Sequence, residues 1–165
     1  MKNAGTHEVF NQPAPLVDCN LFETNRPLRD ALQFNAPALQ LAQLHELGAA
    51  VGSADMQTHA RLANTHTPEL HTHDRFGRRI DEVEFHPSYH ALMKAAVGAG
   101  LHGTPWTGTS ASPHVQRAAG FMLFTELESS VLCPISMTYA ATPALRSNAE
   151  VYADWGPKLG SLWYD

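Results

Sequence analysis

Ser112-Pro113-His114-Val115-Gln116-Arg117-Ala118-Ala119-Gly120-Phe121-Met122-Leu123-Phe124-Thr125-Glu126-Leu127 is the stretch that decides the fold class. A serine followed by proline is a strong helix start. The hydroxyl can accept from an orphan backbone N–H, and proline is preorganised for the first helical position. From Val115 to Leu127 apolar side chains cover most of the circumference, and a helix apolar on nearly all sides belongs inside a bundle. The pattern predicts a helix over 113–130 that is the most buried element of the chain. Pro134 then lacks a donor and crowds the carbonyl of the preceding turn, so a kink or end is expected there. Further helical stretches run to Leu145 and from about Glu150 to Leu159.

Upstream, Tyr89, Leu92, Met93, Ala96 and Val97 form a one-sided stripe at helical spacing, opened by His86-Pro87. Gly98, Gly100, Gly103, Pro105 and Gly108 make the following loop, which contains Trp106. Earlier helices are expected over 28–35, 38–51 and 55–64, the last capped by Ser53. Asp74-Arg75-Phe76-Gly77 has turn composition, and Ile80, Val83 and Phe85 flank a short extended segment. Residues 1–27 contain Pro13, Pro15 and Pro27 without helical period and read as an extended arm. Its apolar residues Val9, Phe10, Leu16, Leu21 and Phe22 pack either across their own domain or onto a neighbouring subunit. The expected architecture is all-α, a helical bundle of about six helices with an extended amino-terminal arm. The arm spans 1–27, the helical domain 28–165, with at most a token β pair.

A length of 165 residues with 44% hydrophobic content fits one globular domain. With 11 basic against 16 acidic residues the net charge is −5, which repels a polyanion. Arg75, Arg78 and Arg79 form the basic cluster, and Asp74, Asp81, Glu82 and Glu84 surround it. No apolar run approaches the ~20 residues that span a bilayer, and Met1–Glu8 lacks the apolar core of a secretory signal. Cys19 and Cys133 lie far apart and read as buried thiols, which together with the missing signal predicts a cytoplasmic protein.

Ten histidines invite a metal reading, with His71-x-His73 and His86-x-x-x-His90 as local pairs. Pro87 spoils the helical geometry of the second pair, and neither pair brings a third ligand, so no metal site is expected. Glu126 lies within the apolar helix, where burial could raise its pKa and make it a base. Pairing with Arg117 or another cation is the preferred reading, and Glu128 falls on a different face. Gly98-Ala99-Gly100-Leu101-His102-Gly103 fits GxGxxG but follows a helix rather than a strand, so it is read as chance. No GxSxG occurs. Catalytic and cofactor-binding residues are therefore not expected within this segment.

Leu132-Cys133-Pro134-Ile135-Ser136-Met137-Thr138-Tyr139-Ala140-Ala141-Thr142-Pro143 carries a resemblance, together with Asn11-Gln12-Pro13-Ala14-Pro15-Leu16, the run from Gly77 to Pro87, and Trp155-Gly156-Pro157-Lys158-Leu159. With these the chain resembles the amino-terminal part of the flavin-dependent acyl-CoA dehydrogenases, in the adaptive-response (AidB-type) branch linked to DNA alkylation damage. The resemblance runs from about Val9 to Asp165. It implies a longer protein with a middle β-barrel and a second helical bundle, both beyond this chain, and with FAD and an acyl thioester held between the domains. It implies a homotetramer, a flavin-contacting segment and a proton-abstracting glutamate beyond Asp165, and DNA association through a carboxyl-terminal region. For this chain it implies a wall of the acyl cavity. Ser136, Met137 and Tyr139 in the Cys133–Thr142 segment are the candidates, with ordinary core packing as the alternative. Two functions stay open: a cavity-closing, assembly-supporting segment of an FAD-dependent dehydrogenase-like oxidoreductase, or a free-standing helical interaction module without flavin. By itself the segment is expected to be colourless, inert and prone to self-association.

Overall fold

A computed structural model describes residues 9–165, and among these residues the regular structure is nine helices and one two-stranded antiparallel sheet. The bundle architecture expected from the sequence is present. The first residues of the expected arm, 1–8, lie outside the described residues.

The rest of the arm corrects one expectation. Residues 9–20 carry no helix, but a single helical turn, α1 (Leu21–Thr24), and the start of α2 (Arg26–Asn35) fall before or at Pro27. Local side chains explain both. Asn20 Oδ1 accepts from the Phe22 and Glu23 N–H groups at 3.0 and 3.3 Å, and Asn25 Oδ1 accepts from Leu28 N–H at 3.0 Å. Pro27 sits in the first turn of α2, where its missing donor has no intrahelical partner to lose. Leu21 and Phe22 are buried, whereas Val9, Phe10 and Leu16 are exposed.

Helix α3 (Ala42–Val51) starts at Ala42, later than Ala38, and presents Gly48 and Gly52 to the arm. A Cβ on Gly48 would lie 2.6 Å from both Phe22 N and Phe22 Cβ, and one on Gly52 would collide with the Cys19 carbonyl. The arm backbone therefore rests directly on α3. Ser53 Oγ caps α4 (Ala54–Thr65) by accepting from Met56 N–H at 3.2 Å.

Strands β1 (Glu69–His73) and β2 (Arg79–Glu84) form a hairpin in which every strand residue is exposed. Glu69 pairs with Glu84, Leu70 with Val83, His71 with Glu82, and, past an irregularity, His73 with Arg79. Asp81 takes φ 49° at that irregularity. Helix α5 (Pro87–Gly98) is capped by His86, whose Nδ1 accepts from Ser88 N–H at 3.1 Å. The chain then leaves α5 through Gly100 at φ 72°, a conformation glycine adopts without strain. A short α6 (Thr104–Thr107), α7 (Pro113–Leu127), α8 (Leu132–Leu145) and α9 (Ala149–Leu159) complete the order.

Helix α7 is central, touching α2, α3, α4, α6 and α8. Its inner face puts Leu123 and Phe124 at 0% exposure among Phe22, Val51, Leu92 and Ile135. The outer face corrects the expectation of all-round burial, since Met122 is 57% exposed. Ser112 makes no side-chain cap bond, so α7 starts on the conformation of Pro113 alone. The break after α7 also falls earlier than Pro134. The helix ends at Leu127, and Pro134 lies in the first turn of α8, a position that tolerates proline.

That break is built by Glu128, a buried residue that no pattern in the sequence marks. Its Oε1 accepts from Ser130 N–H and its Oε2 from Val131 N–H, both at 2.9 Å, and Asn64 Nδ2 donates to Oε1 at 3.3 Å. Burial pushes its carboxyl pKa up, but the hydrogen bonds from Val131 and Ser130 outweigh that and hold it below the ordinary carboxylate value.

Candidate functional site

Proline inside α8 creates the most developed side-chain cluster. Pro143 has no N–H, so the Tyr139 carbonyl one turn earlier loses its helical donor. Trp106 Nε1 supplies the replacement at 2.9 Å, which pins α6 to α8. The Trp106 and Tyr139 rings then stack tilted at 5.0 Å between centroids, and His114 from the start of α7 meets Trp106 edge-on at 5.1 Å. His114 Nδ1 and the Tyr139 hydroxyl are 2.8 Å apart. Arg146 donates from Nη2 to the Trp106 carbonyl at 3.0 Å and covers the Trp106 and Tyr152 rings, which brings α9 into the cluster.

Arg117 joins this cluster to the interior. Its guanidinium carbon lies 3.8 Å from the Tyr139 ring centroid and 5.0 Å from that of Phe121. Nε donates to the Leu101 carbonyl at 2.6 Å, and Nη2 reaches Ser136 Oγ at 3.4 Å. Burial lowers the Arg117 pKa. Of the three cavity-wall candidates, Ser136 and Tyr139 thus meet around Arg117, while Met137 points away and is 68% exposed. The same arginine borders a cavity of about 450 Å³ between α3, α5 and α7, walled by Leu47, Val51, Met56, Leu101, Gly120 and Leu162. Gln116 and Gln43 bond side chain to side chain across its rim. None of Ser136, Met137 and Tyr139 lines that cavity.

The remaining candidate residues separate in space. Glu126 is exposed and accepts from Asn25 Nδ2 at 2.9 Å, so the expected Arg117 pairing is replaced by a bond that ties α2 to α7. Cys19 is half-buried and Cys133 exposed, correcting the expectation of two buried thiols. His71 Nε2 lies 2.9 Å from Glu84 Oε2, His73 bonds the neighbouring Thr72 hydroxyl, and His86 caps α5. Among the described residues no group of three or more His, Cys, Asp or Glu side chains could hold a metal ion. The segment Gly98 to Gly103 is a helix end and turn. A Cβ on Gly100 would collide with Thr104 Oγ1, and one on Gly103 would lie 2.7 Å from the Leu159 carbonyl, so these glycines serve the chain's own packing.

His102 is a site that no pattern announces. It is 4% exposed, Nε2 lies 2.8 Å from the Ser161 carbonyl, and Nδ1 has no partner among the described residues. A carbonyl only accepts, so Nε2 carries the proton and Nδ1 is bare. Burial lowers its pKa, against a smaller raising effect of the Ser161 bond. The folded value therefore lies below the unfolded one near 6.5, and stability is complete above about pH 6.5. As pH falls from there toward the folded value, the unfolded chain takes the proton first and stability drops. A denaturant midpoint measured from pH 7.5 to 5 should decline in this window for the native chain and stay flatter for His102→Gln; equal slopes would remove His102 as the cause.

The family described as the adaptive response protein AidB N-terminal domain matches residues 11–165. The chain belongs to the AidB N-terminal domain family. A curated AidB-family relative, the Escherichia coli K12 protein named "Putative acyl-CoA dehydrogenase AidB", is 40% identical over 162 residues, covering 97% of this chain and 30% of its own length. A solved structure described as "Bd2924 apo-form" superposes with a TM-score of 0.76 at 28% identity, over 93% of this chain and 32% of the other. Caenorhabditis elegans ACDH-11 in complex with C11-CoA shares the fold, with a TM-score of 0.77 at 19% identity over 96% of this chain and 29% of that one. This AidB-type domain thus spans about a third of the length of the proteins it matches. Among the described residues no helix is long and apolar enough to cross a membrane.

Proposed function

We propose that this domain closes one side of an FAD- and acyl-thioester-holding cavity in a longer dehydrogenase-like oxidoreductase, and supports its assembly into a tetramer. The apolar surface left bare on the bundle carries the reading. Met122 on α7, Met137 on α8, Trp155 on α9 and Trp163 beyond it are 57%, 68%, 49% and 75% exposed. Large apolar side chains left exposed in this way favour a covering partner. A β-barrel and a second helical bundle, following this helical domain as the resemblance implies, are the proposed cover. In this reading Met137 faces the covering domains, while Ser136 and Tyr139 stiffen the wall behind it through Arg117. The longer protein is cytoplasmic, and any association with DNA in response to alkylation damage runs through a region other than this acidic domain.

The residues present do not fit a cradle for the flavin itself. The glycines that could approach a pyrophosphate are packed against Thr104 and Leu159; Gly100 follows the end of α5, and Gly103 precedes only the single turn of α6. The purified 165-residue chain, mixed with excess FAD and passed through gel filtration, should therefore elute without flavin absorbance. Stoichiometric flavin co-eluting with the protein would place the binding determinants inside this chain and overturn the division of labour.

A further inference from the structure

We propose that the cavity between α3, α5 and α7 is a binding site for an apolar monocarboxylate, whose head group is taken by Arg117 at the cavity's edge. The site goes beyond the cavity-closing role and does not depend on it, since none of Ser136, Met137 and Tyr139 lines this cavity. Its volume of about 450 Å³ suits a small organic molecule. Leu44, Leu47, Val51, Met56 and Leu101 make its walls apolar. The mouth is open beside Gly98, where an added Cβ would meet nothing within 4 Å outside its own helix. Apolar walls alone do not select an occupant.

Arg117 does. Of the lining residues it is the one base, and Glu46 is the one acid. Arg117 is half-buried, and no ion pair among the described residues includes it. Its Nε and Nη2 each give one N–H, to the Leu101 carbonyl and to Ser136 Oγ. Both N–H groups of Nη1 and the second of Nη2 are left without an acceptor among the described residues. The Tyr139 and Phe121 rings lie against the guanidinium but bring no counter-ion. A cation drawn out of water without a counter-ion is costly, and burial already lowers the Arg117 pKa. A carboxylate entering the cavity supplies the missing charge and accepts side by side from Nη1 and Nη2, the bidentate geometry a guanidinium favours. The charge balance also limits the head group. Glu46 is exposed, so water screens it from a single negative charge. A phosphate dianion would face that carboxylate with one cation to hold it.

Amide NMR titration of the 165-residue chain with ibuprofen, an apolar monocarboxylate, and with its neutral primary amide tests the site. Ibuprofen should bind with a dissociation constant below about 1 mM. It should shift the backbone signals of Gly98, Gly100 and Gly120, which line the cavity. The primary amide should bind at the same place at least about tenfold more weakly. Arg117→Gln should erase that preference by weakening ibuprofen alone. Arg117→Lys, which keeps the charge but not the planar fork, should fall between. Retained binding of the primary amide shows that the cavity of the Gln variant is intact, so a folding defect is not mistaken for lost recognition. No binding of ibuprofen, signal changes centred elsewhere, equal affinity for acid and amide, or a preference that survives in Arg117→Gln would each overturn the proposal. So would loss of both ligands from the Gln variant, because Arg117 would then shape the cavity rather than read a charge. A side chain of a following domain as the occupant predicts equal affinity for acid and amide.

Discussion

Phe22→Ala should lower the folding stability of this chain by about 3–5 kcal/mol, the range for deleting a fully buried aromatic ring. Phe22 is 0% exposed, meets the His45 ring edge-on at 4.7 Å between centroids, and sits where the α1 backbone lies on Gly48. Asn20 locks the same junction from the other side, donating from Nδ2 to the His45 carbonyl at 3.0 Å. The companion change Gly48→Ala keeps the ring but inserts a methyl against Phe22 N and Cβ, and should destabilise through the same contact. Because the two sites share one interface, the double variant should cost less than the sum of the singles. Urea denaturation of the four proteins checks this. Additive effects, or a Phe22→Ala loss below about 1 kcal/mol, would mean that the arm is not seated as described.

Glu128→Ala should be the largest polar effect, about 2–4 kcal/mol, because it strands the Ser130 and Val131 N–H groups that a charged acceptor now satisfies. Glu128→Gln keeps one acceptor and should cost less. The acid limb of the stability curve gives an independent reading. The folded carboxyl lies below its unfolded value, so its contribution is complete above the ordinary range near pH 4.3 and is lost as pH falls through the folded pKa. In Glu128→Gln that segment of the curve should flatten. If the native and variant curves run parallel below pH 5, the charge of Glu128 has no part in the turn.

Much of the bundle is legible in the sequence because burial on one face leaves a periodic trace. Tyr89, Leu92, Ala96 and Val97 mark α5 directly, and Ser53 and His86 cap helices at the places their neighbours imply. Sequence and structure part where one side chain overrides a pattern. Nothing in the spacing of Glu128 distinguishes a surface carboxylate from one that ends a helix, so the pattern points to Pro134 instead. The prolines of the arm mask α1, since the stabilising element is the lone Asn20 oxygen rather than a repeat. All-round hydrophobicity of α7 implies all-round burial, although Met122 lies on the face that the bundle does not cover. Among the site candidates, the meeting of Ser136 and Tyr139 depends on Arg117 and Trp106, which lie on two other stretches of chain. His102 leaves no local trace, because its partner is 59 residues away.

That distance bears on how the chain is made. Synthesis releases residues in order, and helices α1 to α5 and α7 can begin to pack as they appear. His102 enters the interior with them, but Ser161 leaves the ribosome only after α8 and α9. Until then a nascent chain carries an imidazole with both nitrogens unsatisfied in its apolar centre, an arrangement that favours keeping α6 and the loop around it open. The Tyr164 hydroxyl, 2.8 Å from His90 Nδ1, arrives in the same last segment. The contacts of Ser161 with His102 and of Tyr164 with His90 are therefore made only after α8 and α9 have been synthesised.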